Sequence, residues 1–230
     1  MEHHIHLSKQ VVAQLLLNGF EAFVVQHQGQ LRSGIELHAS VFGTVKRGKE
    51  KTTYKVEFIS VDTTAIMQAG SVTPKEDTQY LKKHIAEQMG YERIGNLHTH
   101  PYLTHEGDMD FMRTIGCDFS PADLAIVEDS LKEENEEFLV EFLLSIKQNQ
   151  RKNLVRDGFL DDTRNVFEFS VGNCKCFLRA QVFSLDGNGR LVLETTYLRD
   201  NYLQEFGHFF ADFGRIEAKE GRKRILKYIS

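Results

Sequence analysis

Two short segments of this chain must come together if either is to have a chemical role. The first, His98-Thr99-His100-Pro101, closes an apolar stretch that includes Ile94 and Leu97. Two histidines one residue apart on a strand point to the same side, so both can bind one metal ion. The second segment, Ser120-Pro121-Ala122-Asp123, has the form of a capped helix start, and its aspartate could supply a third ligand. The fold must therefore bring the end of a strand against the beginning of a helix.

This ligand set indicates a metal site that does chemistry. Catalytic zinc sites typically have three protein ligands and leave the fourth position open. Hydrolysis there also needs a base that is close to the metal but not bound to it, and a group that stabilises the oxyanion. Glu36 is the candidate base, since a carboxylate in the middle of an apolar strand is costly to bury without a partner. The hydroxyl of Ser120 can face the same site while it caps the helix.

Apolar periodicity and turn residues predict an α+β fold, a mixed β-sheet flanked by helices. Helices are expected from residue 8 to about 19, from 73 to 89, from 120 to about 131 and from 202 to 213. The last carries a stripe of phenylalanines, Phe206, Phe209, Phe210 and Phe213. Strands are expected at residues 21–27, 34–45, 53–61, 91–98, 138–147, 166–171, 175–184 and 190–198.

Composition argues against several classes of partner. A net charge of -5 gives no reason to expect nucleic acid, and the basic segment Gly221-Arg222-Lys223-Arg224 favours a solvated tail. No apolar run is long enough for a membrane helix, and residues 1–6 lack the layout of a secretory signal. We expect a cytoplasmic protein with a disordered N-terminus, whose His3, His4 and His6 could at most chelate metal adventitiously. Cys174 and Cys176 are expected to be reduced packing residues.

Glu36, the segment His98–Pro101 and the segment Ser120–Asp123 together resemble the motif of the JAB/JAMM (MPN-type) metalloprotease family. That motif has a Glu in an early strand, then His-Ser/Thr-His-Pro, then Ser-x-x-Asp. Glu36 is also followed by Ala39 and Gly43, at the family's small-residue positions. The resemblance covers roughly residues 8–150. One departure is the spacing from His100 to Ser120, which is nineteen residues where the family usually has seven.

The resemblance implies a JAB/MPN-like sheet flanked by helices, with a cytidine-deaminase-like layout. A core of residues 1–150 would carry an inserted loop at 101–119, expected to be a solvated, mobile cover containing His105, Glu106, Asp108 and Asp110. Residues 151–230 would form a β-rich extension that ends in a helix and packs on the core.

The activity implied is cleavage of a peptide or isopeptide bond, often at the C-terminus of ubiquitin or a ubiquitin-like protein. One zinc ion per chain would be held by His98, His100 and Asp123. Glu36 would take the proton from water and pass it to the leaving amine, and Ser120 would hydrogen-bond the oxyanion.

Two other functions remain as alternatives. A non-catalytic JAB-like binding module would not need Glu36. Leu97-His98-Thr99-His100 also resembles the opening of the PHP phosphoesterases, but that barrel needs several more His and Asp ligands. His38, two residues after Glu36, could face the site or be a buried, hydrogen-bonded histidine. The oligomeric state and the substrate's identity are not predicted.

Overall fold

A ten-stranded mixed sheet with three longer helices forms the centre of the protein, so the predicted α+β class is correct. The computed structural model describes residues 1–24, 34–67, 71–152, 157–160, 164–199, 202–203, 205, 210, 214–216 and 226–227. In chain order the elements are β1 (Glu2–Leu7), α1 (Lys9–Val24), β2 (His38–Arg47), β3 (Lys51–Val61), β4 (Ile66–Met67), β5 (Val72–Thr73), α2 (Glu76–Gln88), β6 (Glu92–Tyr102), the short α3 (Met109–Phe111) with a π-helical turn (Met112–Gly116), α4 (Pro121–Glu134), β7 (Leu139–Gln148), β8 (Gly158–Phe159), β9 (Val166–Val171), β10 (Cys174–Leu185), β11 (Leu191–Leu193), β12 (Thr195–Leu198), β13 (Arg215–Ile216) and β14 (Leu226–Lys227).

The main sheet has the order β12-β1-β3-β2-β6-β7-β10-β9-β8, with β11 paired to β10. Strand β1 is parallel to both of its neighbours, β6 is parallel to β7, and the other pairs are antiparallel. The sheet curls, so that β12 comes back to β10. Glu194 N donates to Val182 O at 2.9 Å, and Val182 N donates to Thr196 Oγ1 at 3.0 Å.

The two faces of the sheet have different chemistry because side chains alternate along each strand. One face is apolar and packs with α1 into the main core, where Ala39, Leu97 and Phe142 are neighbours across β2, β6 and β7. The opposite face carries His38 and His98, which are paired across β2 and β6. Helix α4 covers part of this second face through Val127 and Leu131. The two predicted histidine ligands therefore lie on the face that is not filled by the main core.

Helix α1 is longer than predicted. It runs to Val24, so Gly19 lies inside it and residues 21–24 are helical rather than the start of a strand. Gly19 has a packing role, since a Cβ there would come within 2.7 Å of Leu144 Cδ2 on β7. Absence of a side chain lets the helix approach the sheet closely, and this explains why the glycine does not end the helix. Residues 25–27 of the predicted strand lie outside the described residues.

The prediction of a disordered N-terminus is wrong. Residues 2–7 form β1, between β3 and β12. His3 is fully buried, with its Nδ1 3.0 Å from the hydroxyl of Tyr54 and its ring against Phe138. The partner strands β3 and β12 are about 50 and 190 residues away in sequence, so no local sequence pattern predicts these pairings.

Other boundaries also differ from the predictions. Helix α2 begins at Glu76 with Lys75 as its N-cap, and Thr73 belongs to β5 instead of forming a capping box. The strand predicted at residues 190–198 is divided at Glu194 into β11 and β12. Most of the predicted helix at 202–213, with Phe206, Phe209 and Phe213, lies outside the described residues, as does the basic segment 221–224. Phe210 is described and packs partly buried against the main core.

Candidate metal centre

The two segments singled out in the sequence meet at one end of β6. This strand carries His98 and His100 on the same side and continues to Tyr102. Helix α4 begins beside it with a complete capping box. Ser120 N donates to Asp123 Oδ2 at 2.7 Å, and Asp123 N donates to Ser120 Oγ at 3.2 Å. The cap fixes the carboxylate of Asp123 in front of the two imidazoles.

The distances from the carboxylate of Asp123 to the two imidazoles suit a tetrahedral metal ion. Asp123 Oδ2 lies 3.5 Å from His98 Nε2 and 3.4 Å from His100 Nε2, and all three lie within 4.8 Å of one another. Zinc binds imidazole nitrogen and carboxylate oxygen at about 2.0–2.2 Å, and a tetrahedron of that size has edges of about 3.3–3.6 Å. His98, His100 and Asp123 can therefore hold one metal ion.

One nitrogen of the ligand group has no hydrogen-bond partner among the described residues of the protein. His98 is buried, and its Nε2 has no hydrogen-bond partner. Burial lowers the pKa of His98, which favours the neutral imidazole that binds metal. Burial also acts to raise the pKa of Asp123, but the imidazoles of His100 and His98 outweigh it and hold that pKa well below its usual range. A neutral imidazole with a free nitrogen, facing an ionised carboxylate, is the state a divalent cation requires.

Glu36 lies beside the site, but not on a strand. It is in the segment just before β2, and its position is fixed through its neighbour. Leu37 N donates to Thr99 Oγ1 at 2.9 Å, and Thr99 N donates to Leu37 O at 3.1 Å. Burial raises the pKa of Glu36 to about 7, and the charge of His100 opposes this shift. A carboxylate with this pKa is suited to accept and release a proton near neutral pH.

A cavity of about 540 Å³ opens in front of the three ligands. It is bounded by the segment before β2, the segment before α2, strands β6 and β7, and the first turns of α4. Four carboxylates line it, and no lysine or arginine belongs to the part of its wall that the structure describes. The cavity is large enough for a side chain or a short extended peptide. Its carboxylates are Glu36, Glu106, Asp123 and Glu141.

His38 also lines the cavity, and its ring is oriented by a hydrogen bond to Asp62. Its Nδ1 is 2.5 Å from Asp62 Oδ2, and Lys82 of α2 pairs with the other oxygen of Asp62. Burial acts to raise the pKa of Asp62, but the bonds from His38 and Lys82 bring it below its usual value. His38 is thus a buried, hydrogen-bonded histidine that faces the site, which combines the two interpretations left open by the sequence.

The segment 101–119 is packed against the sheet and partly buried, so it is not the fully solvated cover that the sequence predicts. Lys147 of β7 donates to three of its backbone carbonyls, those of Leu103, Thr104 and Glu106, at 2.6–3.1 Å. Met112 and Phe119 are buried. His105, Asp108 and Asp110 are exposed, as expected, but Glu106 is half-buried and accepts from Leu103 N. Glu106 of this segment lines the cavity.

Glu141 was missed by the sequence reasoning. It lies on β7, is 4% exposed, and lines the cavity. The signal was available, since a single carboxylate in the apolar run Leu139–Gln148 is as unusual as Glu36 in its own segment. Cys174 and Cys176 are free and buried, as predicted.

Comparisons with known proteins do not assign a family. No protein-family model matches the chain, and no curated protein matches it. A solved structure with weak similarity is the solution structure of protein DSY2949 from Desulfitobacterium hafniense. The two chains are 14% identical with a TM-score of 0.39, over 86% of this chain and 94% of the other. Among the described residues, no helix is both long and apolar enough to cross a membrane.

Proposed function

We propose that this protein is a zinc-dependent hydrolase of the JAB/JAMM type that cleaves a peptide or isopeptide bond. The observation that carries the proposal is the convergence of His98, His100 and Asp123, whose ligand atoms lie within 4.8 Å of one another, in a cavity that Glu36 also lines. A purely structural metal site would be closed by a fourth protein ligand. The described residues offer three ligand atoms and a carboxylate outside the ligand group, which is the arrangement that hydrolysis needs.

The roles of the side chains follow from their positions. When bound, zinc supplies Lewis acidity, which lowers the pKa of water and polarises a carbonyl group. Glu36 takes the proton from the attacking water and transfers it to the leaving amine, a cycle that its pKa of about 7 permits. Ser120 accepts from Asp123 N through Oγ, so its own hydrogen remains available to the carbonyl oxygen of the substrate.

The finer parts of the proposal rest on the resemblance of the motif. The substrate would be a protein or peptide, and the C-terminus of a ubiquitin-like protein is the favoured class. The JAB/MPN-like layout of the sheet belongs to the same proposal. A cytoplasmic location fits three buried cysteines that are all free.

Metal analysis of the purified protein is the first test. We expect about one zinc per chain in the wild type and loss of zinc in His100→Ala. His105→Ala is the matched control, because His105 is an exposed histidine outside the ligand group and should leave the zinc content unchanged. Wild-type protein that takes up no zinc after reconstitution would overturn the hydrolase proposal in favour of the binding module.

Cleavage is the second test. A panel of ubiquitin-like proteins fused through their C-termini to a reporter should contain substrates that the zinc-loaded wild type cleaves and Glu36→Gln does not. Cleavage that survives in Glu36→Gln at the wild-type rate would contradict the mechanism, since that variant keeps the ligands and loses the base.

A further inference from the structure

The wall of the cavity contains a carboxyl group that the proposed mechanism does not use. Glu141 of β7 lies opposite Asn96 of the parallel strand β6. Asn96 is two residues before His98. Asn96 Nδ2 donates to Glu141 Oε1 at 2.8 Å. No described residue hydrogen-bonds Glu141 Oε2, although the side chain is buried and lines the cavity. One oxygen of a buried carboxylate therefore remains available to a hydrogen-bond donor of a ligand in the cavity.

The orientation of this carboxylate is fixed by a chain of side chains. Arg93 donates through Nη1 to both oxygens of Glu134, at 2.7 and 2.6 Å, and through Nη2 to Asn96 Oδ1 at 2.9 Å. Because Arg93 can only donate, Asn96 must turn its amide nitrogen towards Glu141. Asn96 thereby holds Oε1, while Oε2 has no hydrogen-bond partner among the described residues. Such preorganisation lowers the entropic cost of binding a donor there.

The charge of the cavity decides which donor fits. Glu36, Glu106, Asp123 and Glu141 contribute four carboxyl groups to the wall of the cavity. No described lining residue is a lysine or arginine. Burial raises the pKa of Glu141 to about 7, so an entering cation would favour the ionised form of this carboxyl. An anionic group would be repelled by the ionised carboxylate, and a neutral group would not favour ionisation of Glu141.

We propose that Glu141, oriented by Asn96 and Arg93, is a specificity-determining subsite that receives a cationic side chain, a lysine or arginine, of the polypeptide substrate. The ammonium or guanidinium group would enter past Ile126, the exposed apolar residue of α4 on the cavity wall, and donate to Glu141 Oε2. Val127 of the same helix provides apolar contact for the aliphatic part of the side chain. This inference rests on the proposed function only in treating the bound polypeptide as a substrate, because binding of a cationic side chain at Glu141 does not require hydrolysis.

Binding of n-butylguanidine by the zinc-loaded protein tests the subsite. The guanidinium group is a poor metal ligand because it stays protonated, so binding reports on carboxylates rather than on the metal. Its neutral analogue n-butylurea has the same shape. We expect calorimetry to show binding of butylguanidine to the wild type at least about tenfold tighter than binding of butylurea, the ratio typical of one charge-assisted hydrogen bond.

Two charge-matched variants locate the effect. Glu141→Gln should weaken butylguanidine binding about tenfold or more, whereas Glu106→Gln, which removes a carboxylate elsewhere in the cavity, should change it less than about threefold. Equal weakening by both variants would reduce the effect to the general charge of the cavity and overturn the subsite. Equal binding of the two probes by the wild type would overturn it as well.

A measurement on the wild type alone covers the case in which Glu141→Gln does not fold. Titration with butylguanidine should shift the side-chain amide signals of Asn96 in nitrogen-15 NMR spectra, since this amide contacts Glu141. Absence of any shift at saturating butylguanidine would exclude binding at Glu141. A protein that binds the probe in this way but cleaves nothing would retain the subsite and lose the proposed hydrolase function, so the two failures are distinguishable.

Discussion

Arg113 donates two hydrogen bonds to the carboxylate of Glu168, from Nε and Nη2, each at 2.9 Å. Arg113 belongs to the π-helical turn between the metal-site strand and α4, and Glu168 is a fully buried residue of β9. Lys175, also fully buried, reaches the same carboxylate at 3.3 Å. The segment 101–119 is therefore tied to β9, three strands away from β6 on the face of the sheet that carries His98 and His100.

Replacement of Arg113 should destabilise the protein. In Arg113→Ala, Glu168 keeps Lys175 but loses both of its bidentate hydrogen bonds, and a partly uncompensated buried charge is expensive. We expect the free energy of unfolding to fall by about 2–3 kcal/mol, measured by urea denaturation. Lys132→Ala is the control, because its ion pair with Glu128 is on the exposed surface and should contribute nothing measurable. Equal stability of the two variants would show that the buried pair does not hold the segment.

Lys147 provides a second anchor, which can be tested by hydrogen exchange. Lys147→Met keeps the apolar stem of the side chain and removes the donors to Leu103 O, Thr104 O and Glu106 O. We expect faster exchange at the amides of Leu103 and Glu106 and a loss of about 2–4 kcal/mol in stability. Lys55→Met, at an exposed lysine whose partner among the described residues is Glu57, should change neither quantity. Unchanged exchange in Lys147→Met would mean that other contacts suffice.

The ligands were predictable from sequence because each lies in a local pattern that has its own physical reason. Two histidines separated by one residue share a face of any strand, and Ser120 with Asp123 forms a capping box in any helix that begins there. Glu36 was found by its odd position among apolar residues, although the strand begins only at His38. These inferences need no knowledge of the tertiary structure.

What could not be predicted depends on pairing between distant parts of the chain. The strand that buries His3 exists because β3 and β12 flank it, and neither is near in sequence. Gly19 looked like a helix end because its contact with Leu144 belongs to another element. Lys147 and Glu168 lie within predicted strands, and only the fold shows that both hold the segment 101–119. The partners of polar residues in buried strands therefore cannot be predicted from local sequence patterns.

Ser120 has two roles that different substitutions can separate. Ser120→Ala removes the N-cap of α4 and should cost about 1 kcal/mol, whereas glycine at an N-cap costs only a few tenths of that. Both variants lose the hydroxyl that is proposed to reach the oxyanion, so both should lose about 10- to 1,000-fold in kcat. Thermal unfolding and kinetics on the same samples provide the comparison. Full activity in Ser120→Gly would assign the hydroxyl to capping alone.

Glu36→Gln should retain the metal and lose hydrolysis by at least about a hundredfold, since the ligands stay and the base is removed. In the wild type, kcat/KM should rise with pH as Glu36 ionises. A bound divalent cation favours the carboxylate, so the midpoint should lie below the metal-free pKa of about 7. Glu106→Gln, a carboxylate of the same cavity, should preserve this profile. If kcat/KM still rises with pH in a partly active Glu36→Gln, the pH dependence belongs to another group.

The buried carboxyl of Glu141 should make the metal-free protein less stable as pH rises. Its pKa, raised to about 7 by burial, is above the ordinary 4.5, so the folded state binds this proton more tightly. The stabilising contribution is complete below pH 4.5 and is lost as pH rises through 7, by at most about 3 kcal/mol. Glu141→Gln keeps an acceptor for Asn96 but cannot ionise. Relative to the wild type it should therefore gain stability from pH 5 to pH 8 in urea denaturation, whereas Glu128→Gln, at an exposed carboxylate, should not. A constant difference across this range would mean that Glu141 is ionised in the folded protein well below pH 7.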